Sequence, residues 1–177
     1  MDKHPSPWSV PVAVEDIPDT GLHKEIEAPA DIRAELAAFA GIRGLPRLSA
    51  AFDLVRRGAQ VDVTGRVTAL VGQTCVVSLD PMESEVDEPV DLTFAPPQSS
   101  QAVAERETAG RDADADEEPP EPLVGGTIDL GAIATEFLVL GIDPYPRKPG
   151  VEFAAPKAED AGGHPFAALA ALKKRPS

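Results

Sequence analysis

The sequence predicts an α+β fold, an antiparallel barrel-like sheet of about six strands with two packed helices. Three observations carry that expectation. Residues 50–94 alternate apolar and polar side chains with the period of two that a strand half-buried on a sheet requires. Two stretches, 29–40 and 127–141, place apolar residues at helical spacing and end on glycine. No stretch approaches the roughly 20 apolar residues of a membrane helix.

The alternation is clearest in three runs. Ala50, Phe52 and Leu54 share one parity of the first; Ala59, Val61, Val63, Val67, Ala69 and Val71 share one parity of the second. Val86, Val90, Leu92 and Phe94 form the third. If Gly72 permits continuation, Cys75, Val77 and Leu79 extend the second inward set, and the two long strands pair through Asp80-Pro81-Met82-Glu83. Upstream, Trp8, Val10, Val12 and Val14 read as an opening strand held to an edge by Pro11. Turn chemistry over Ile17–Gly21 predicts a hairpin back to a second strand at Leu22–Glu27.

For the first helix, Pro29 suits the first turn and Asp31 the positive end of the dipole, and Gly41 suits the stop. Ile32, Leu36 and Phe39 form its expected buried stripe. In the second helix Asp129 is the expected cap, and Leu130, Ile133, Phe137 and Leu140 are the expected inner face.

Domain organisation follows from composition. Residues 1–150 read as one domain interrupted at 96–122 by an acidic insertion rich in Gln, Ser, Ala, Glu, Asp and Pro. Such a stretch cannot bury enough apolar surface to offset its ordering entropy, so disorder is expected there. Residues 151–177 read as a linker and a short basic-ended helix. The formal charge of −14 is uneven. Asp80–Glu121 holds 14 carboxylates against Arg106 and Arg111, so the remaining chain is close to neutral. An acidic balance argues against non-specific nucleic-acid binding without excluding a local basic face.

Catalytic chemistry finds no signature. His4, His23 and His164 are far apart in sequence, and Cys75 is the single cysteine, so neither a metal site nor a cofactor is expected. Cys75 lies on the apolar parity of its strand and reads as a buried structural thiol. No phosphate-binding glycine loop or nucleophile elbow occurs. The start of the chain shows no basic end leading into an apolar run, and the cytoplasm is the expected location.

Two features point to binding. Arg43, Arg47, Arg56, Arg57 and Arg66 make residues 41–66 locally basic, and Arg56 with Arg66 would contact RNA phosphates from a shared outward face. A solvated sheet face is the plainer alternative, since no stacking aromatics stand at the polar positions of these strands. Tyr145 and Arg147, together with the Phe166, Leu169 and Leu172 stripe of the closing helix, are candidates for a partner surface.

Several stretches together resemble one known family. Val63-Thr64-Gly65-Arg66-Val67 leads to Gln73-Thr74-Cys75-Val76-Val77-Ser78-Leu79-Asp80-Pro81. Then come Ile128-Asp129-Leu130-Gly131, Glu136-Phe137-Leu138 and Leu140-Gly141-Ile142-Asp143-Pro144-Tyr145-Pro146-Arg147, and finally Pro165-Phe166-Ala167-Ala168-Leu169 with Leu172-Lys173. In order and spacing this is similar to the YceD-like family of large ribosomal RNA subunit accumulation proteins, over roughly residues 8 to 174. The resemblance implies a non-enzymatic accessory role in large-subunit biogenesis. The expected partner is a large-subunit ribosomal protein or precursor ribosomal RNA, and the expected state is a monomer away from membranes. Many members of that family carry a second cysteine where this chain has Ser78, which removes a cysteine-pair chemistry here. The rival readings are an adaptor unrelated to ribosomes and a small enzyme with an unrecognised site.

Overall fold

The computed structural model of the protein describes residues 6–97 and 120–153. Most of the acidic insertion and the whole closing segment, with Phe166, Leu169 and Leu172, lie outside the described residues. Three long strands form the frame: β3 (Gly44–Arg57), β4 (Gln60–Thr74) and β5 (Pro81–Ala95). They are preceded by β1 (Pro11–Ala13), β2 (Leu22–Glu27) and α1 (Ala30–Phe39). They are followed by β6 (Glu121–Pro122), β7 (Thr127–Asp129) and α2 (Leu130–Gly141). No described helix is long and apolar enough to cross a membrane.

The main sheet runs β2-β3-β4-β5-β6, antiparallel except for the parallel β5–β6 pair. The register obeys the predicted parity. Phe52 and Leu54 of β3, and Val61, Val63, Val67 and Val71 of β4, are fully buried. β3 and β4 join through Gly58 and Ala59, and Gly58 takes φ +64°. Gly65 sits in the middle of β4 opposite Phe52, whose ring packs over it. A Cβ at Gly65 would overlap the Ala51 carbonyl oxygen and stand 2.9 Å from Phe52 Cδ1.

The sheet is open, and the barrel expected from the sequence does not form. β2 and β6 are its two edges, and β1 does not hairpin with β2 but pairs antiparallel with β7 in a separate two-stranded ribbon. The reason is local. A single 3₁₀ turn at Val14–Asp16 ends β1 after three residues, and β1 is already committed to the start of α2. The Asp129 carboxylate accepts hydrogen bonds from Ser9 Oγ (2.6 Å) and the backbone N–H groups of Val10 (2.8 Å), Gly131 (3.0 Å) and Ala132 (3.1 Å). The expected cap is therefore also the clamp between the chain's opening segment and α2.

Both helices and the ribbon cover the inward face of the sheet and share one core with it, including Trp8, Val12, Ile17, Leu36, Ile128, Leu130 and Leu138. α1 stops at Gly41, with φ +67°. Two expected core positions are wrong by a fraction of a helical turn: Phe39 is 54% exposed and Leu140 is 72% exposed. Ala37 and Leu138 are buried instead. Gly65→Ala is expected to cost about 3 kcal/mol, because the new methyl meets backbone rather than a movable side chain. Urea denaturation of the two proteins measures the difference, and a change below about 0.5 kcal/mol would contradict the packing described.

Candidate functional site

The pleat that buries one parity of β2–β5 turns the other parity outward, and the register decides which charges meet there. β2 contributes His23, Glu25 and Glu27; β3 contributes Arg47, Ser49, Ala51, Asp53 and Arg57. From β4 come Asp62, Arg66 and Thr68, and from β5 come Glu83, Glu85, Asp87 and Asp91. This face thus carries eight carboxylates against three guanidinium groups.

The five arginines of residues 43–66 do not form one patch. Arg43 and Arg47 stand at one end of β3, and Arg56 and Arg57 at the other, a contour of roughly 45 Å at the rise of a strand. Arg56 opposes the buried Val61, whereas Arg66 opposes Ala51 on the outward parity, so the two do not share a face. Three of the five also meet carboxylates. Arg57 Nε lies 2.6 Å from Asp62, Arg66 Nη1 2.6 Å from Asp87, and Arg56 Nη2 3.7 Å from Asp19. Arg43 reaches Thr74 Oγ1 at 3.5 Å.

Beside this network His23 Nδ1 lies 2.7 Å from Asp53 Oδ1, and its Nε2 lies 3.7 Å from Glu25. The hydrogen bond to Asp53, and then its charge, raise the His23 pKa above the ordinary 6.5.

A second locus closes the far end of the sheet. β4 stops at Thr74, one residue before Cys75, so the expected inward continuation through Val77 and Leu79 is absent. Residues 75–80 instead form a tight turn. Leu79 N–H bonds Cys75 O at 2.9 Å, and Leu79 adopts φ 61° with its side chain 75% exposed. Left-handed backbone at a non-glycine residue is uncommon and is held here by the surrounding bonds.

The segment after α2 straps across this turn. Gln73 Nε2 donates to Asp143 O (2.7 Å), Val76 N–H to Pro146 O (2.9 Å), and Lys148 N–H to Cys75 Sγ (3.4 Å). Lys148 Nζ lies 3.3 Å from Asp80. Pro146 is buried, while Tyr145 (71% exposed) and Arg147 stand out from the strap.

Cys75 is buried, as its parity suggested. The Ser78 side chain, followed by the backbone N–H groups of Ser78 and Lys148, holds its thiol down to about 6, against the upward pull of burial. Ser78, and then Lys148, hold the Asp80 carboxyl below its ordinary value.

An open α+β sheet with a charged outward face and a strapped turn defines the class of protein. The particular family follows from comparison. The family model described as large ribosomal RNA subunit accumulation protein YceD matches residues 63–173, and the chain belongs to this family. No curated protein and no solved structure matches the chain. The matched range takes in most of β4, all of β5 and α2, and the whole Cys75 turn with its strap.

Sequence reasoning missed the acidic face and the strap. The parity of Glu83, Glu85, Asp87 and Asp91 opposite Val86 and Val90 already carried the first signal.

Measurements at Cys75 and at His23 check the site. Thiol reagents are expected to label Cys75 slowly in the native protein and rapidly in denaturant. Cys75→Ser is expected to lower the unfolding midpoint by roughly 5 °C. A depressed folded pKa adds stability that is full above 9.0 and is lost as pH falls through about 6, so the deficit should widen as pH climbs between them. His23 has the opposite sign. Its pairing with Asp53 stabilises fully below 6.5 and fades as pH rises through the elevated pKa. His23→Gln should therefore lower the midpoint in acid and leave it unchanged at alkaline pH. An NMR titration placing His23 at or below 6.5 would refute that pairing.

Proposed function

We propose that this chain is a non-enzymatic, cytoplasmic accessory factor of large-subunit ribosome biogenesis that acts by binding a basic large-subunit protein. The family description supplies the process, accumulation of large-subunit ribosomal RNA. The observation that carries the partner class is the outward sheet face, with eight carboxylates against three arginines. Opposite fields raise the encounter rate of such a face with a basic protein and discourage phosphate.

The test separates partner classes. The purified chain should bring down basic large-subunit proteins from a lysate treated with ribonuclease. Glu83→Gln with Glu85→Gln and Asp91→Asn should slow association with them several-fold at low salt and much less at high salt. Loss of all ribosomal protein after ribonuclease, with RNA affinity that collapses in Arg47→Glu with Arg66→Glu, would make RNA the direct ligand. Recovery of no ribosomal material of either kind would favour an adaptor outside ribosome assembly.

A further inference from the structure

The outward face is not evenly filled. Two adjacent cross-strand rows run Glu25–Ala51–Arg66 and Glu27–Ser49–Thr68. Long side chains stand at Glu25 and Glu27 on β2 and at Arg66 on β4, with the short side chains of Ser49, Ala51 and Thr68 between them. The result is an open furrow of about 530 Å³, floored by Ser49 and Ala51. The Ser49 and Thr68 hydroxyls, 3.0 Å apart, bond across its floor.

The two rims differ in charge. Ala51 is too short to join Glu25 to Arg66 across the row, and Arg66 pairs instead with Asp87 at 2.6 Å. That rim is therefore neutral. On the other rim Glu25 has only the weak His23 contact at 3.7 Å, and Glu27 has no Lys or Arg partner among the described residues. Two ionised carboxylates two residues apart on one strand face repel each other, and a cation between them relieves that repulsion. A phosphate in the same place would be repelled by both.

We infer that this furrow seats the cationic side chains of an extended, lysine- or arginine-rich protein segment, the stem lying over Ala51 and Ser49 and the charge reaching Glu25 and Glu27. The inference rests on the basic-partner reading above and assigns it a place. Glu25, Glu27, Ser49 and Ala51 precede the family-matched range 63–173, whereas Arg66 and Thr68 on the opposite side of the furrow fall inside it. Shape complements charge here. A long aliphatic stem covers the short side chains of the floor, whose Ser49 and Thr68 hydroxyls bond each other, while its head group stays at the wet rim.

The experiment uses the full chain and a short fluorescent peptide of alternating lysine and threonine, read by anisotropy at physiological salt. Saturable binding is expected. Ala51→Leu fills the furrow without changing charge and should weaken binding about tenfold; Glu25→Gln with Glu27→Gln should do at least as much. Glu83→Gln with Glu85→Gln, on the same face but on β5, should change it by no more than about twofold, since screening removes distant charges. Thermal unfolding verifies that each variant folds, and Ala51→Val replaces Ala51→Leu if the larger side chain unfolds the sheet.

Equal losses in the two carboxylate pairs, with none in the furrow-filling variant, would overturn the furrow in favour of diffuse attraction. An oligoribonucleotide whose affinity falls in the furrow-filling variant would overturn it in favour of RNA. Undiminished recovery of basic ribosomal proteins by the Ala51 variant would sink the furrow alone. Failure of the wild-type chain to recover them would remove the reading beneath it.

Discussion

The rest of the structure depends on the two-residue alternation of three long antiparallel strands. β3, β4 and β5 pair over most of their length, so the inward side chains of β4 have inward neighbours on both sides. A slip of one residue would turn Val61, Val63, Val67 and Val71 to solvent and drive Asp62, Thr64, Arg66 and Thr68 into the core. The cost of burying those polar groups without partners fixes the register more firmly than any turn does. Gly65 marks the same constraint from another side. It is the place where β3 backbone comes so near that no side chain fits.

The elements outside that frame share its apolar core, and a few directional bonds fix where they sit. The Asp129 carboxylate accepts four hydrogen bonds, from Ser9, Val10, Gly131 and Ala132, and so ties β1 to the start of α2. At the other end of α2 the strap is held through Gln73, Val76 and Cys75. Gln73 leaves its Oε1 buried without a hydrogen-bond partner among the described residues. That is a local cost in a region already holding Leu79 in left-handed backbone, and such costs persist only where neighbouring contacts over-determine the conformation.

Local chemistry was legible in the sequence, and long-range pairing was not. The strands follow from valine spacing, and the helix limits follow from Asp129 and Gly41, because those signals act within a few residues. Phe39 and Leu140 were misjudged because a helical stripe is wide and only the position of the sheet decides which flank is covered. The barrel failed for a similar reason. Whether β1 joins β2 or β7 depends on partners more than a hundred residues apart in the chain, and the same short strand satisfies either pattern. The candidate site was the least legible part. A count of arginines says nothing of the carboxylate across the ladder, and Asp62 and Asp87 neutralise Arg57 and Arg66 only once the register exists.

That neutralisation bears directly on what the face can bind. For Arg66 to grip a phosphate it must first release Asp87, and the freed carboxylate would then lie within a few ångströms of the incoming anion. The phosphate contact gains one charge-assisted bond, loses another, and adds a like-charge repulsion. A cationic partner meets no such conflict. It approaches Glu25, Glu27, Glu83, Glu85 and Asp91, none of which has a Lys or Arg partner among the described residues, and leaves the arginine pairs intact. The sheet thus ties Arg57 and Arg66 to its own carboxylates and keeps Glu25, Glu27, Glu83, Glu85 and Asp91 for encounter, an arrangement that a count of arginines alone conceals.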